Sequence, residues 1–194
     1  MGLSYDLNQR IDEKNTNHAP YISESSIDKI YNSIVRIVTG KIIPEGTGFF
    51  MKAKINGKLM HFLLTCYHII PDNLIDNKLA IHITYGKINK EKTKCIKLDK
   101  NEGLIKIFKP SLDIVVIEIK DSDFIPEDKY LLPDLNYKNG YDFYKGKGFY
   151  LGGYPSEENP DGERCISSGK LLKIYDYEFG HSLDTRDGSS GSFN

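Results

Sequence analysis

Cysteine is scarce: Cys66, Cys95 and Cys165 are the only three in 194 residues. Three is too few, and odd, for a disulfide framework, which argues against a bridge-stapled secreted scaffold and favours a reducing compartment. A dominant charge is missing too. With 26 basic against 27 acidic side chains and a formal net charge of -1, no global field draws the chain to nucleic acid or to an anionic membrane, and neither is expected as a partner. No uninterrupted apolar run is long enough to cross a bilayer. The start, Met1-Gly2-Leu3-Ser4-Tyr5-Asp6, opens no basic and then apolar leader, and Asp6 stands where a myristoylation pattern wants Ser or Thr. A soluble cytoplasmic or otherwise intracellular protein is the expectation. The five histidines, His18, His61, His68, His82 and His181, show no metal-ligand spacing with cysteine, so no metal and no cofactor are expected.

What the chain does carry is a hydroxyl in a turn-forming setting. Arg186-Asp187-Gly188-Ser189-Ser190-Gly191-Ser192 contains Gly-x-Ser-Gly, which offers Ser190 as a nucleophile beside backbone able to turn sharply and present amide hydrogens. A serine hydroxyl is weak at neutral pH and needs a base, usually an imidazole oriented by a carboxylate. His68 follows the largely apolar run Phe62–Tyr67 and precedes Ile69-Ile70-Pro71, the position of a strand end. Asp113 opens the apolar strand Ile114–Ile119, where a carboxylate can be largely buried yet reach an imidazole.

Short strands with little helical periodicity between them predict an all-β chain built from antiparallel barrels. The strand segments are Ile34–Val38, Gly48–Lys54, Lys58–Thr65, Leu79–Thr84, Lys94–Leu98, Leu104–Phe108 and Ile114–Ile119. Asn56-Gly57 supplies the positive backbone angles of a two-residue hairpin between the second and third. A short helix can begin at Ser26–Tyr31, and the polar residues up to about Ser25 form an extension. The basic run Lys87–Lys94 reads as a solvated hairpin tip. The expected organisation is an extension over 1–30, a first barrel over 31–125 carrying His68 and Asp113, and a partial second barrel over 126–194 carrying Ser190. Tyr137, Tyr141, Phe143, Tyr144, Phe149, Tyr150 and Tyr154 are expected to pack between the lobes.

Three motifs resemble those of the chymotrypsin-like (trypsin-like) serine peptidases. Thr65-Cys66-Tyr67-His68 resembles their Thr-Ala-x-His, Leu112-Asp113-Ile114-Val115-Val116 their Asp-Ile-Ala-Val strand, and Gly188-Ser189-Ser190-Gly191-Ser192 their nucleophile loop. The order His, Asp, Ser is also theirs. The resemblance runs from about Tyr31 to Asn194, and is closest in motif to the glutamyl endopeptidase and high-temperature-requirement protease branches. Ser189 stands where digestive members carry an Asp, and Ile69 where secreted relatives often carry a bridged Cys. Gly148–Pro155 resembles the family's Gly-Tyr/Phe-Pro strand end. The chain stops four residues after Ser190, where family members continue with further strands, so the second barrel is expected to be incomplete.

The resemblance implies a fold of two six-stranded-type barrels and a serine endopeptidase working through an acyl-enzyme, with no cofactor. His68 would be the general base, Asp113 its orienting acid, and the amide hydrogens of Gly188 and Ser190 the oxyanion donors. Asp184, six residues before Ser190, is a candidate pocket floor for Lys or Arg, and His181 a candidate neighbour. Each residue alone has a plainer reading: a strand-end histidine, a strand-entry aspartate, a turn serine, a strand end at Asp184. The alternative for the whole chain is a catalytically silent binding or regulatory module. The expected partner is a protein or peptide substrate.

Overall fold

The computed structural model describes residues 22–39, 46–86, 90–108, 112–155, 164–174, 179–183 and 189–190. Helix α1, Glu24–Ser33, begins where the Ser23 hydroxyl oxygen accepts the Ser26 backbone N–H at 3.2 Å, meeting one of the donors that a helix start leaves unpaired. It buries Ile30 and gives way directly to β1, Ile34–Val38. Strands β2, Gly46–Ile55, and β3, Lys58–Cys66, form the expected hairpin. Its turn puts Asn56 at φ 50° and Gly57 at φ 81°, the pair of positive angles that a right-twisted hairpin needs.

A five-residue helix, α2 at Asp72–Asp76, follows β3 after Pro71. It was not foreseen, because five residues are too few to show helical periodicity; its Leu74 and Ile75 belong to the core. Then come β4, Ala80–Tyr85, β5, Lys92–Lys97, β6, Ile105–Phe108, and β7, Ile114–Ile119. All seven strands join one antiparallel sheet in the order β5-β4-β1-β2-β3-β7-β6, one strand more than a six-stranded barrel. The sheet curls around Val35, Ile37, Phe50, Leu63, Ile81, Ile83, Tyr85, Val115 and Ile117, all at least 98% buried. The β4–β5 pairing from Tyr85 and Lys92 confirms a hairpin under the basic run, of which residues 87–89 lie outside the described set.

Past β7 the chain makes short 3-10 turns instead of strands. Leu131 is stitched to β2 by main-chain bonds in both directions, Lys52 N–H to its carbonyl at 2.9 Å and its own N–H to the Phe50 carbonyl at 3.0 Å. A second sheet follows, from β8, Gly148–Gly153, β9, Cys165–Ile174, and β10, Phe179–His181, with β9 in the middle. The expected packing of aromatics between lobes is not met by Tyr137, Tyr141 and Phe143, which are 56%, 48% and 37% exposed. They sit on 3-10 turns, where Phe143 packs edge-on against Tyr144 and the Tyr144 hydroxyl donates to Asp134. These turns bond among themselves locally. Among the described residues no helix is long and apolar enough to cross a membrane.

Candidate active site

His68 takes its position from the turn that ends β3. The Cys66 carbonyl accepts the N–H groups of Ile69 and Ile70 at 3.2 and 3.3 Å, and both isoleucines are at least 99% buried. The turn is thus pinned from below while His68 stands in solvent, its side chain 51% exposed. Gly46 of β2 lies against the same anchor: a Cβ there would stand 2.0 Å from Ile69 Cδ1.

Asp113 precedes β7, the strand paired with β3. It grips the turn at three points. Its carbonyl accepts the Tyr67 N–H at 2.9 Å, Oδ1 accepts the His68 backbone N–H at 3.0 Å, and Oδ2 lies 2.6 Å from His68 Nδ1. The last is a charge-assisted contact at the short end of the range. With Nδ1 donating to the carboxylate, Nε2 carries the free lone pair and is the basic nitrogen. Asp113 holds this pose at φ 49°, a left-handed conformation that a short polar side chain tolerates better than most. The expected burial of its carboxylate is corrected: the side chain is 45% exposed, because Asp113 lies in the turn before the strand and not within it. Hydrogen bonding to His68 and not desolvation is what organises the pair.

Ser190 enters through its main chain. Its carbonyl accepts the N–H of Thr47 on β2 at 2.9 Å. Thr47 is wholly buried and binds two further segments: its Oγ1 accepts the Tyr154 N–H at 2.9 Å, just past β8, and its carbonyl accepts the Thr65 hydroxyl at 2.8 Å. The Thr47 side chain and its two flanking peptide groups thereby join the Ser190 segment, the end of the second sheet, and the stretch of β3 three residues before His68. Sequence reasoning began this strand at Gly48 and missed Thr47. The available signal was its place between Gly46 and Gly48, since paired glycines in a strand mark close approach of other groups; a Cβ on Gly48 would come 2.8 Å from Ile37 Cδ1 and 2.9 Å from the Leu64 carbonyl.

The fold therefore brings His68 and Asp113 into direct contact and seats the Ser190 backbone on the strand beside β3. Gly188 and Asp184 lie outside the described residues. His181, on β10, accepts the Leu183 N–H at Nδ1 over 3.3 Å, so that nitrogen is engaged locally. An imidazole held by one nitrogen with the other nitrogen basic can take a proton from a hydroxyl and return it to a leaving group.

No curated protein sequence matches the chain. Among solved structures, an HtrA-type protease, AlgW, with a tripeptide is similar in fold, with a TM-score of 0.54 at 15% identity. The similarity covers 88% of this chain and 50% of that one, so the chain spans about half the length of this structural relative. A family model described as trypsin-like peptidase domain matches residues 46–193. That span contains β2 with Thr47, the His68 turn, Asp113 and the Ser190 segment, and the chain belongs to the trypsin-like peptidase domain family.

Proposed function

We propose that the chain is a serine endopeptidase domain acting on extended peptide segments. The observation that carries this reading is the two-point grip of the Asp113 carboxylate on His68, which fixes the ring and leaves Nε2 basic. In the reaction, Ser190 Oγ attacks the peptide carbonyl carbon as His68 Nε2 takes the hydroxyl proton. The C–N bond then breaks and the same proton passes to the leaving amine, giving an acyl ester on Ser190. A water, deprotonated by His68, hydrolyses the ester and frees the acid. Asp113 stabilises the imidazolium in both steps, and the N–H groups of Gly188 and Ser190 donate to the developing oxyanion. The tripeptide with the HtrA-type relative supports a peptide as the ligand class. Asp184 as a pocket floor would select Lys or Arg before the cleaved bond.

A fluorophosphonate probe tests the reading, since it labels only an activated serine. Labelling of the wild-type chain that vanishes in Ser190→Ala and in His68→Ala is expected. Peptide binding with no labelling in the wild type would replace the enzyme with a binding module.

A further inference from the structure

The linear spacing of His and Cys suggests no metal site, but the fold brings three candidate ligands together from two strands. Cys66 ends β3, His68 lies two residues on, and Asp113 comes from the mouth of β7. Their ligand atoms, one thiol sulfur, one ring nitrogen and one carboxylate oxygen, all lie within 4.8 Å of one another. His68 Nδ1 and Asp113 Oδ2 already lie 2.6 Å apart, so a tetrahedral ion with bonds of about 2.0–2.3 Å to S, N and O would spread this pair and draw the Cys66 sulfur in. His68 and Asp113, 51% and 45% exposed, have the room in solvent that this adjustment requires. We propose that Cys66, His68 and Asp113 form a binding site for Zn²⁺ or a similar borderline-soft divalent ion, and that the ion reversibly silences the chain.

The donor set chooses the metal. Thiolate with imidazole suits zinc and cobalt, whereas Mg²⁺ and Ca²⁺ demand oxygen shells. Three protein ligands leave a fourth position open to solvent, and the thiol gives up its proton to the medium on binding. The inhibitory part rests on the endopeptidase reading above. Metal on Nδ1 displaces the hydrogen bond to Asp113, and metal on Nε2 occupies the lone pair that would take the serine proton. Either way the base is lost.

Cobalt(II) titration of the full chain is the test, with absorption as a readout that needs no activity. One Co²⁺ per chain with a near-ultraviolet thiolate-to-cobalt band is expected, displaced by Zn²⁺ and untouched by excess Mg²⁺. Cys66→Ser should abolish the band, and Asp113→Asn, which removes a direct ligand, should weaken binding by more than the roughly 10-fold that losing an outer-shell partner costs. A Cys95→Ser/Cys165→Ser variant, altered only at exposed thiols, should keep it. Absence of the band, or its survival in Cys66→Ser, overturns the site. Fluorophosphonate labelling then separates the two claims. Labelling blocked by Zn²⁺ in the wild type but not in Cys66→Ser confirms the inhibition, while labelling equally sensitive in both overturns it. A wild type that binds cobalt but never labels keeps the metal site and refutes the endopeptidase.

Discussion

Asp113 does two jobs at one position, and the two come apart under substitution. Its carboxylate orients His68, and its backbone sits in the left-handed region at φ 49°. Asn keeps the shape and tolerates that backbone but loses the charge, so Asp113→Asn should fold normally while the labelling rate falls by about 10⁴-fold. Ala loses the charge and also strains the backbone, adding about 1–2 kcal/mol of destabilisation. Urea midpoints beside labelling rates separate the effects; equal midpoints for the two variants would refute the backbone part. Thr47 is divisible in the same way. Thr47→Val keeps its N–H on the Ser190 carbonyl but removes the acceptor of the buried Tyr154 N–H. An orphaned buried donor costs about 1–3 kcal/mol, and Thr47→Ser should restore the loss by chemical denaturation. The imidazole and the acid were legible because each adjoins an apolar strand. The exposure of Asp113 was not legible, because whether a residue at a strand mouth is covered depends on the turn it faces in three dimensions.

At the scale of elements, two glycines of the β2–β3 hairpin separate fit from site. Gly57 sits at the tip with φ 81° and nothing within 4 Å of an added Cβ. Gly57→Ala should therefore cost about 1 kcal/mol of backbone strain and leave labelling unchanged. At the other end, Gly46→Ala drives a methyl into Ile69, one residue after His68. It should cost about 1–3 kcal/mol of overpacking and also slow labelling, because the residue displaced anchors the His68 turn. If thermal and kinetic assays show Gly46→Ala altering stability alone, that anchoring role is wrong. The hairpin was readable from Asn56-Gly57 because its angle requirement is local. Helix α2 and the seat of Leu131 on β2 were not, since a five-residue helix and a single stitched residue leave no periodic trace in the sequence.

Across the whole molecule the near balance of charge becomes paired carboxylates, Asp99 buried beneath its lysines and Glu102 and Glu127 exposed. The Asn101 N–H and then Lys78 hold Asp99 below the ordinary carboxyl range, and Lys97 with Lys120 does the same for Glu102. Lys52 lowers Glu127, and the Asn136 N–H with the Tyr144 hydroxyl lowers Asp134. Carboxyls that are more acidic folded than unfolded make the unfolded chain bind more protons in acid. Stability is therefore expected to hold flat above the unfolded carboxyl values of about 4, and to fall as pH drops below them. Urea midpoints measured from neutrality to pH 3 test this, and a midpoint that stays constant or rises in acid would contradict it. The all-β architecture was legible because seven strand segments each carry their own pattern. The aromatic region 137–144 was not, since large apolar rings read as core until their turns show Phe143 edge-on against Tyr144 and Tyr137 and Tyr141 exposed.

The link between Ser190 and Thr47 runs between two peptide groups and makes no use of the side chain at position 190. That link is consequently indifferent to the side chain that position 190 carries. Cysteine or alanine would rest in the same cradle as serine, so the position can be swapped between thiol, alcohol and inert methyl while the surrounding architecture stays as it is.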